Sequence, residues 1–246
     1  MMIKLKDILF EGVNDPGIFK AVFLAGGPGS GKTYVVKQLF GIPDRLNISH
    51  SGMKMVNSDK ELKFLLNKFG FGTDLDNMPE ELFKDLTGDG GSGLRKYSRE
   101  LTNQRMKLYK QGKLGMVIDG TGHDYGKLQT MKKDLEKDGY DTYMIFVNTS
   151  LDVALKRNQK RDRILPSDLL EKSWKDVQKN LGKFQGLFGS NFLVVDNSDT
   201  LNLQQAQKKF SMLVRKGIDK FIKKPIKNVI AKKWVKKQQI LKKQGA

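Results

Sequence analysis

The stretch "LAGGPGSGKTYVVKQLFG", residues 24–41, places four glycines and a proline between an apolar run and an amphipathic one. Glycine is costly inside regular structure, so such a cluster marks a loop whose backbone other residues could not follow. Ala21-Val22-Phe23-Leu24-Ala25 reads as a short strand buried on both faces. Val35, Val36, Leu39 and Phe40 recur at helical spacing, and Gly41 followed by Pro43 supplies a stop. The order is therefore strand, glycine loop, helix. In that context Gly26, Gly31, Lys32 and Thr33 occupy the fixed positions of a phosphate-binding loop, with Gly27, Pro28, Gly29 and Ser30 between them. Loop amides and a helix N-terminus would converge on an anion. The pattern assigns Lys32 to the β/γ-phosphates and the Thr33 hydroxyl to Mg²⁺, so ATP and Mg²⁺ are the expected cofactors.

Further strands are predicted at Lys54–Asn57, Gly115–Asp119, Thr142–Val147 and Asn191–Val195. Helical patterns over about 59–69, 94–111, 124–138, 151–161 and 167–181 separate them. Such alternation predicts an α/β fold: a five-stranded parallel sheet in a three-layer αβα arrangement. Ligands of these sheets bind beyond the carboxyl ends of the strands. That rule selects the glycine loop, Asp59, Asp119 and the region of Thr149. Thr87–Gly93, polar and glycine-rich, is the expected mobile loop.

The chain of 246 residues accommodates one such domain, predicted over 20–200, with an N-terminal extension over 1–19 and a basic helical extension over 201–246. The absence of cysteine excludes disulfides and thiolate metal sites. No apolar stretch is long enough to span a bilayer, and Lys4, Lys6 and Asp7 interrupt the N-terminal apolar pattern, so a soluble cytoplasmic protein is expected.

In "MVNSDKEL" Asp59 falls at a helix start, where a carboxylate either caps the helix or takes a proton from a hydroxyl as general base. In "MVIDGTGHD" Asp119 ends a buried strand, the place of a metal-orienting carboxylate or of a turn aspartate. His123 is read as a turn residue. Arg157 and Arg161 in "LKRNQKRDRILP" are four apart on one helical face, suited to clamp phosphoryl oxygens or simply to face solvent. Pro166 would end a lid before the next helix.

Together "GGPGSGKT", "VNSDKEL", "VIDGTG" and "ALKRNQKRDRILPSDLLEKSW" resemble the polynucleotide kinase/zeta-toxin group of P-loop kinases. The paired-arginine lid looks most like that of phage-type polynucleotide 5′-hydroxyl kinases. The resemblance implies the kinase-type P-loop NTPase fold, Asp59 as general base and catalytic contacts from Lys32, Arg157 and Arg161 to the ATP phosphates. The polynucleotide kinase motif carries an arginine three residues after the catalytic aspartate; this chain has Leu62 there, with Lys63 adjacent. The helix "LRKYSRELTNQRMKLYKQ" borders the acceptor in that group, which puts Arg99 and Arg105 with Asp59 among candidate substrate contacts. The expected function is ATP-dependent phosphorylation of a hydroxyl, on a nucleic acid 5′ end or a hydroxymethylated base. The alternatives are a zeta-toxin-like kinase of a nucleotide-sugar or small metabolite, and a nucleotide-binding virion protein without efficient transfer.

The net charge of +18 is unevenly spread. Residues 215–246 hold 12 Lys+Arg against one acid, Asp219, a charge of +11 that leaves +7 for the preceding 214 residues. Ala206, Phe210, Leu213, Val214, Ile218 and Phe221 follow helical spacing and predict a helix docked on the domain. Beyond Pro225, apolar residues alternate with lysines in a basic amphipathic pattern that suits a nucleic-acid backbone or an anionic membrane surface.

Overall fold

Buried β-branched, aromatic and methionine residues build the sheet in the computed structural model of the chain, which describes residues 13, 15, 17–42, 49, 52–71, 93–160, 165–198, 212 and 217–244. The strands are β1 (Lys20–Ala25), β2 (Lys54–Val56), β3 (Met116–Asp119), β4 (Asp141–Asn148) and β5 (Phe192–Asp196). They form a parallel sheet in the order β2-β3-β1-β4-β5. The helices are α1 (Lys32–Phe40), α2 (Ser58–Lys68), α3 (Leu94–Gln111), α4 (Tyr125–Lys137), α5 (Leu151–Asn158), α6 (Ser167–Phe188) and α7 (Val229–Gln244). A 3₁₀ turn, Gly189–Asn191, precedes β5, and residues 217–223 are also helical.

Alternation along β1 divides the core into two layers. Val22 and Leu24 meet Val35, Val36 and Phe40 of α1 together with Ile218, Phe221 and Ile222. Ala21, Phe23 and Ala25 face the other way, onto Leu135 of α4, Val177, Phe184 and Phe188 of α6, and Ala231 of α7. The result is a three-layer αβα fold of P-loop type, with every strand flanking β1 in register: Leu24 opposite Asp119, and Lys20 opposite Asp141.

Two boundaries differ from the sequence expectation. Helix α6 runs to Phe188 rather than 181. Its Gly182 and Gly186 have open space where a Cβ would be, and the buried Phe184 and Phe188 hold the extra turns on the core. Helix α5 ends at Asn158 rather than 161. There the buried Asn158 side chain donates to Leu165 O (2.7 Å) and accepts from Leu165 N (3.0 Å), so the chain returns to the end of the helix. Of the expected mobile loop, residues 87–92 lie outside the described residues, and Gly93 is the N-cap of α3.

The C-terminal segment crosses from one layer to the other at the edge where the strands begin. Asp141 accepts from Lys20 Nζ (2.9 Å), Lys227 N (2.9 Å) and Asn228 N (3.1 Å). Asn228 caps α7 through Ile230 N (3.0 Å) and donates its amide to Glu136 O (2.7 Å). Trp234 of α7 then packs edge-on against Phe19, with ring centroids 5.5 Å apart. Among the described residues no helix is long and apolar enough to cross a membrane.

Candidate active site

The glycine loop leaves β1 at Gly26 and enters α1 at Lys32, as the sequence requires. Gly29 (φ +75°) and Gly31 (φ +86°) are left-handed, and a Cβ on Gly29 would lie 2.6 Å from Ala154 O. Any other residue there would both strain the turn and collide with α5. The loop is held from outside by Asn197, whose amide donates to Ser30 O (2.8 Å), and by Gly26 N donating to Thr121 O (3.0 Å). No side chain caps α1, so its N-terminal turn keeps the electropositive character that favours an anion. Lys32 Nζ folds back on Gly26 O (2.5 Å) and Gly27 O (3.2 Å). Thr33, the next residue, is exposed at the start of α1.

Asp119 stands at the end of β3 beside this loop. Its Oδ2 accepts from Asn57 Nδ2 (2.7 Å), while its Oδ1 is buried with no hydrogen-bond partner. Burial pushes its carboxyl up to about 6; Lys32 and Lys60 oppose the rise and Asp59 adds to it. A buried carboxylate oxygen lacking a donor is a fit for a hard cation. Among the described residues no group of three or more His, Asp or Glu gathers as a metal cage. Mg²⁺ takes one or two protein oxygens and completes its shell with phosphate and water, and the unpartnered Asp119 Oδ1 is one such oxygen.

The raised value has a measurable consequence in the metal-free protein. The folded state holds the Asp119 proton up to about pH 6, whereas the unfolded chain releases it near the ordinary 3.8. This group's contribution to stability is therefore complete below pH 3.8 and lost as pH rises through 6. Asp119→Asn should melt no earlier than the parent at pH 8, and any advantage should vanish near pH 3. The same variant should lose the rise in Tm that Mg²⁺ adds in the presence of ATP. Melting curves across pH, with and without Mg²⁺, check both; an Asn variant destabilised at pH 8 would contradict the assignment of strain to this carboxylate.

Asp59 is not the helix cap. Asn57 caps α2, its Oδ1 accepting from Asp59 N (2.7 Å) and Lys60 N (3.4 Å). Asn57 thus holds Asp119 with one end of its amide and the first turn of α2 with the other. The Asp59 carboxylate, with a side chain 63% exposed, is met by Arg95 Nη1 of α3 at 2.5 Å. Leu62, where the kinase motif has arginine, is buried in α2. The guanidinium that meets Asp59 is that of Arg95, on α3. Arg105 is ion-paired with the buried Glu61 of α2, and Arg99 is exposed on α3.

Arg157 of α5 lies against the loop, with Nη1 donating to Gly29 O (3.4 Å) and 3.8 Å from where a Cβ on Gly31 would stand. Burial lowers its pKa from the usual arginine value. Arg161 lies outside the described residues. Helix α6 fastens the other loops at this edge: Trp174 Nε1 donates to Thr149 O (2.8 Å) and Asn180 Nδ2 to Gly122 O (3.1 Å) and His123 O (2.8 Å). His123 itself is exposed and hydrogen-bonds Thr121 Oγ1 through Nδ1.

The structure therefore brings Lys32, Thr33, Asp59, Asp119 and Arg157 to one edge of the sheet. Sequence reasoning missed Asn57, Arg95, Trp174 and Asn197. Of these, Asn57 alone carries a local signal, an asparagine directly ahead of a helical pattern.

Three solved structures illustrate what the fold is similar to. A gluconokinase from Sinorhizobium meliloti 1021 is 13% identical, covering 83% of this chain and 94% of its own, with a TM-score of 0.46. The Pnkp1/Rnl/Hen1 RNA repair complex contains a chain 20% identical, covering 67% of this chain and 46% of that one, with a TM-score of 0.47. The PezAT toxin-antitoxin system of Streptococcus pneumoniae contains one 12% identical, covering 83% and 88%, with a TM-score of 0.45. No curated protein matches the sequence. A family model described as an AAA domain matches residues 22–184, from β1 through the glycine loop and both aspartates into α6, and the chain belongs to that family.

Proposed function

We propose that the chain is a Mg²⁺-dependent kinase that transfers the γ-phosphate of ATP to a hydroxyl, with a nucleic acid as the acceptor. The observation that carries this reading is the position of Asp59: relieved of capping by Asn57, exposed, and near enough to Asp119 and its lysine neighbour to affect the same titration. An exposed carboxylate beside a phosphate loop is placed to accept a hydroxyl proton as the bond to phosphorus forms. Arg95 orients that carboxylate and brings positive charge to the acceptor side. Lys32 and the backbone N–H groups of Gly27, Gly29, Gly31, Lys32 and Thr33 bind the triphosphate; Pro28 has no N–H, and those of Gly26 and Ser30 donate to Thr121 O and Gly27 O. Asp119 and Thr33 would hold Mg²⁺, which when bound neutralises charge on the phosphate oxygens.

Arg157 already reaches the loop and is assigned to the transferring phosphoryl group. Arg157→Ala should slow transfer by about 10²-fold, the scale of losing one preorganised donor. Arg157→Lys should recover little, because a point charge does not reproduce a planar fork. The same outcome is expected for Arg161→Ala. Single-turnover rates check these, and parental kinetics in both alanine variants would return the arginines to the solvated surface.

The reaction itself is tested by incubating the protein with γ-labelled ATP and a panel of acceptors: 5′-hydroxyl DNA and RNA, hydroxymethyl-base DNA, nucleosides and UDP-sugars. Label on a polynucleotide supports the proposal. Label on a UDP-sugar or nucleoside replaces the acceptor but keeps the kinase, and no transfer to any acceptor removes the activity.

A further inference from the structure

The lysines of α7 have no role at the phosphate loop, and their surroundings define a surface of their own. The helix carries Lys232, Lys233, Lys236, Lys237, Lys242 and Lys243 and no acid. The middle of its apolar side is occupied: Ala231 is fully buried, and Trp234 and Val235 pack on the same core layer, while Val229 and Ile230 at the start of the helix and Ile240 and Leu241 near its end are exposed. Lys232 and Lys236, and Lys233 and Lys237, are spaced one turn apart on the remaining surface, about 6 Å along the axis. The acids that face this region are engaged elsewhere. Asp138 pairs with Lys110 (2.6 Å), Glu136 with Lys132 (2.6 Å) and Asp141 with Lys20 (2.9 Å). Among the described residues no carboxylate pairs with an α7 lysine.

Two occupants suit a basic amphipathic helix, and the packing separates them. A membrane-surface helix sinks its apolar stripe among lipid chains. Here the Ala231–Trp234–Val235 stripe is taken up by the protein core, so the exposed apolar residues are confined to the two ends of the helix and form no continuous stripe. Lys232, Lys233, Lys236 and Lys237 between them make a row of cations whose complement is a linear polyanion. Duplex DNA presents one negative charge per about 1.7 Å of axis. The location adds a constraint. Helix α7 is tied by Asn228 and Asp141 to the edge where the strands begin, and the phosphate loop stands at the edge where they end. The length of a six-residue strand, about 20 Å, lies between them.

We infer that the lysine face of α7 is a docking surface for a polynucleotide backbone, separate from the phosphate-loop edge and without base specificity. It holds the polyanion by counterion release, whatever the acceptor of phosphoryl transfer is. Truncation before residue 226 would uncover Phe19 and the core beneath Ala231, so substitutions on the exposed face are the cleaner test.

Binding of a fluorescent 30-base-pair DNA to the full chain is measured by anisotropy against salt, without ATP. The comparison is the variant with Lys232→Gln, Lys233→Gln, Lys236→Gln and Lys237→Gln; glutamine keeps helix propensity close to that of lysine. The slope of log affinity on log salt should flatten by roughly 3 to 4, about 0.9 for each phosphate that is no longer neutralised. Affinity at 0.1 M salt should fall more than tenfold. Lys175→Gln with Lys179→Gln, on the exposed face of α6, removes charge elsewhere and should leave the slope nearly unchanged. If the fourfold variant melts early, Lys232→Gln with Lys236→Gln alone should flatten the slope by roughly 2. An unchanged slope in a folded variant, or equal losses from the α6 pair, overturns the docking surface. So does lysine-dependent binding to vesicles containing phosphatidylserine with none to DNA. Transfer to a short acceptor is read separately, so loss of the kinase reading and loss of this one are distinct results.

Discussion

Lys32→Ala lowers ATP-dependent turnover by about 10² to 10³ while the protein stays folded. The lysine tip lies on two carbonyls of its own loop, Gly26 O and Gly27 O, at the mouth of α1. Those carbonyls belong to a loop that Asn197, Thr121 and the left-handed glycines also hold, so its shape does not depend on the ammonium. In the proposed reaction the ammonium would supply positive charge beside phosphate oxygens that gain charge during transfer. Once its tip has left the two carbonyls for the bound phosphates, it stands in place before the chemical step, and a donor held in place through that step is felt in rate when it is lost. Lysine also opposes the upward drift of the Asp119 carboxyl, so the variant should bind Mg²⁺ with ATP more weakly at pH 6 than at pH 8. Single-turnover rates at saturating ATP, with melting curves on the same samples, give the answer. A folded variant with parental rates would remove the phosphate loop from the mechanism.

Asp59→Asn separates binding from chemistry. ATP affinity should persist, because the loop and α1 do not involve this side chain, and transfer to the hydroxyl should fall by two orders of magnitude or more on the scale of general-base loss, about 10² to 10⁴. The amide keeps the size of the carboxylate but takes no proton at neutral pH. Stability should change little. The α2 cap is Asn57, and an exposed ion pair such as Asp59 with Arg95 contributes only about 0 to 1 kcal/mol. Calorimetric ATP titration set beside transfer rates distinguishes the roles. Normal transfer with earlier melting would make Asp59 a structural residue of α2 after all.

The elements of the fold were legible where a single segment contains its own signal. Ala21–Ala25 and Thr142–Val147 are continuous apolar runs, and the sheet buries them on both faces. The helix predicted over 94–111 has those bounds in the structure. Legibility failed where the deciding partner is distant in sequence. The helical pattern read from the sequence stops at 181, and the core that receives Phe184 and Phe188 shows why the helix continues past Gly182 and Gly186. Arg95 looked like one of several basic residues on α3 until α2 placed Asp59 beside it, 36 residues away. Likewise the tail's amphipathic pattern was plain, but its apolar side could equally have faced lipid. Phe19, more than two hundred residues earlier, takes the Trp234 part of that side into the core.

The contact between Phe19 and Trp234 also sets an order of events during synthesis. Ribosomal synthesis at 5–20 residues per second needs roughly 10 to 40 s to traverse the interval between them. Tyr140 arrives only part-way through that time, and from then until Trp234 follows the entrance to β1 has an aromatic neighbour but no lid. The strand itself waits as well, since Met116 and Asp141, which open its two flanking partners, emerge long after Lys20. A nascent chain of this topology carries its central strand unpaired and its apolar faces open until β3 and β4 arrive. Helix α7 then covers Phe19 at the edge where the strands begin, after both flanking strands have been made.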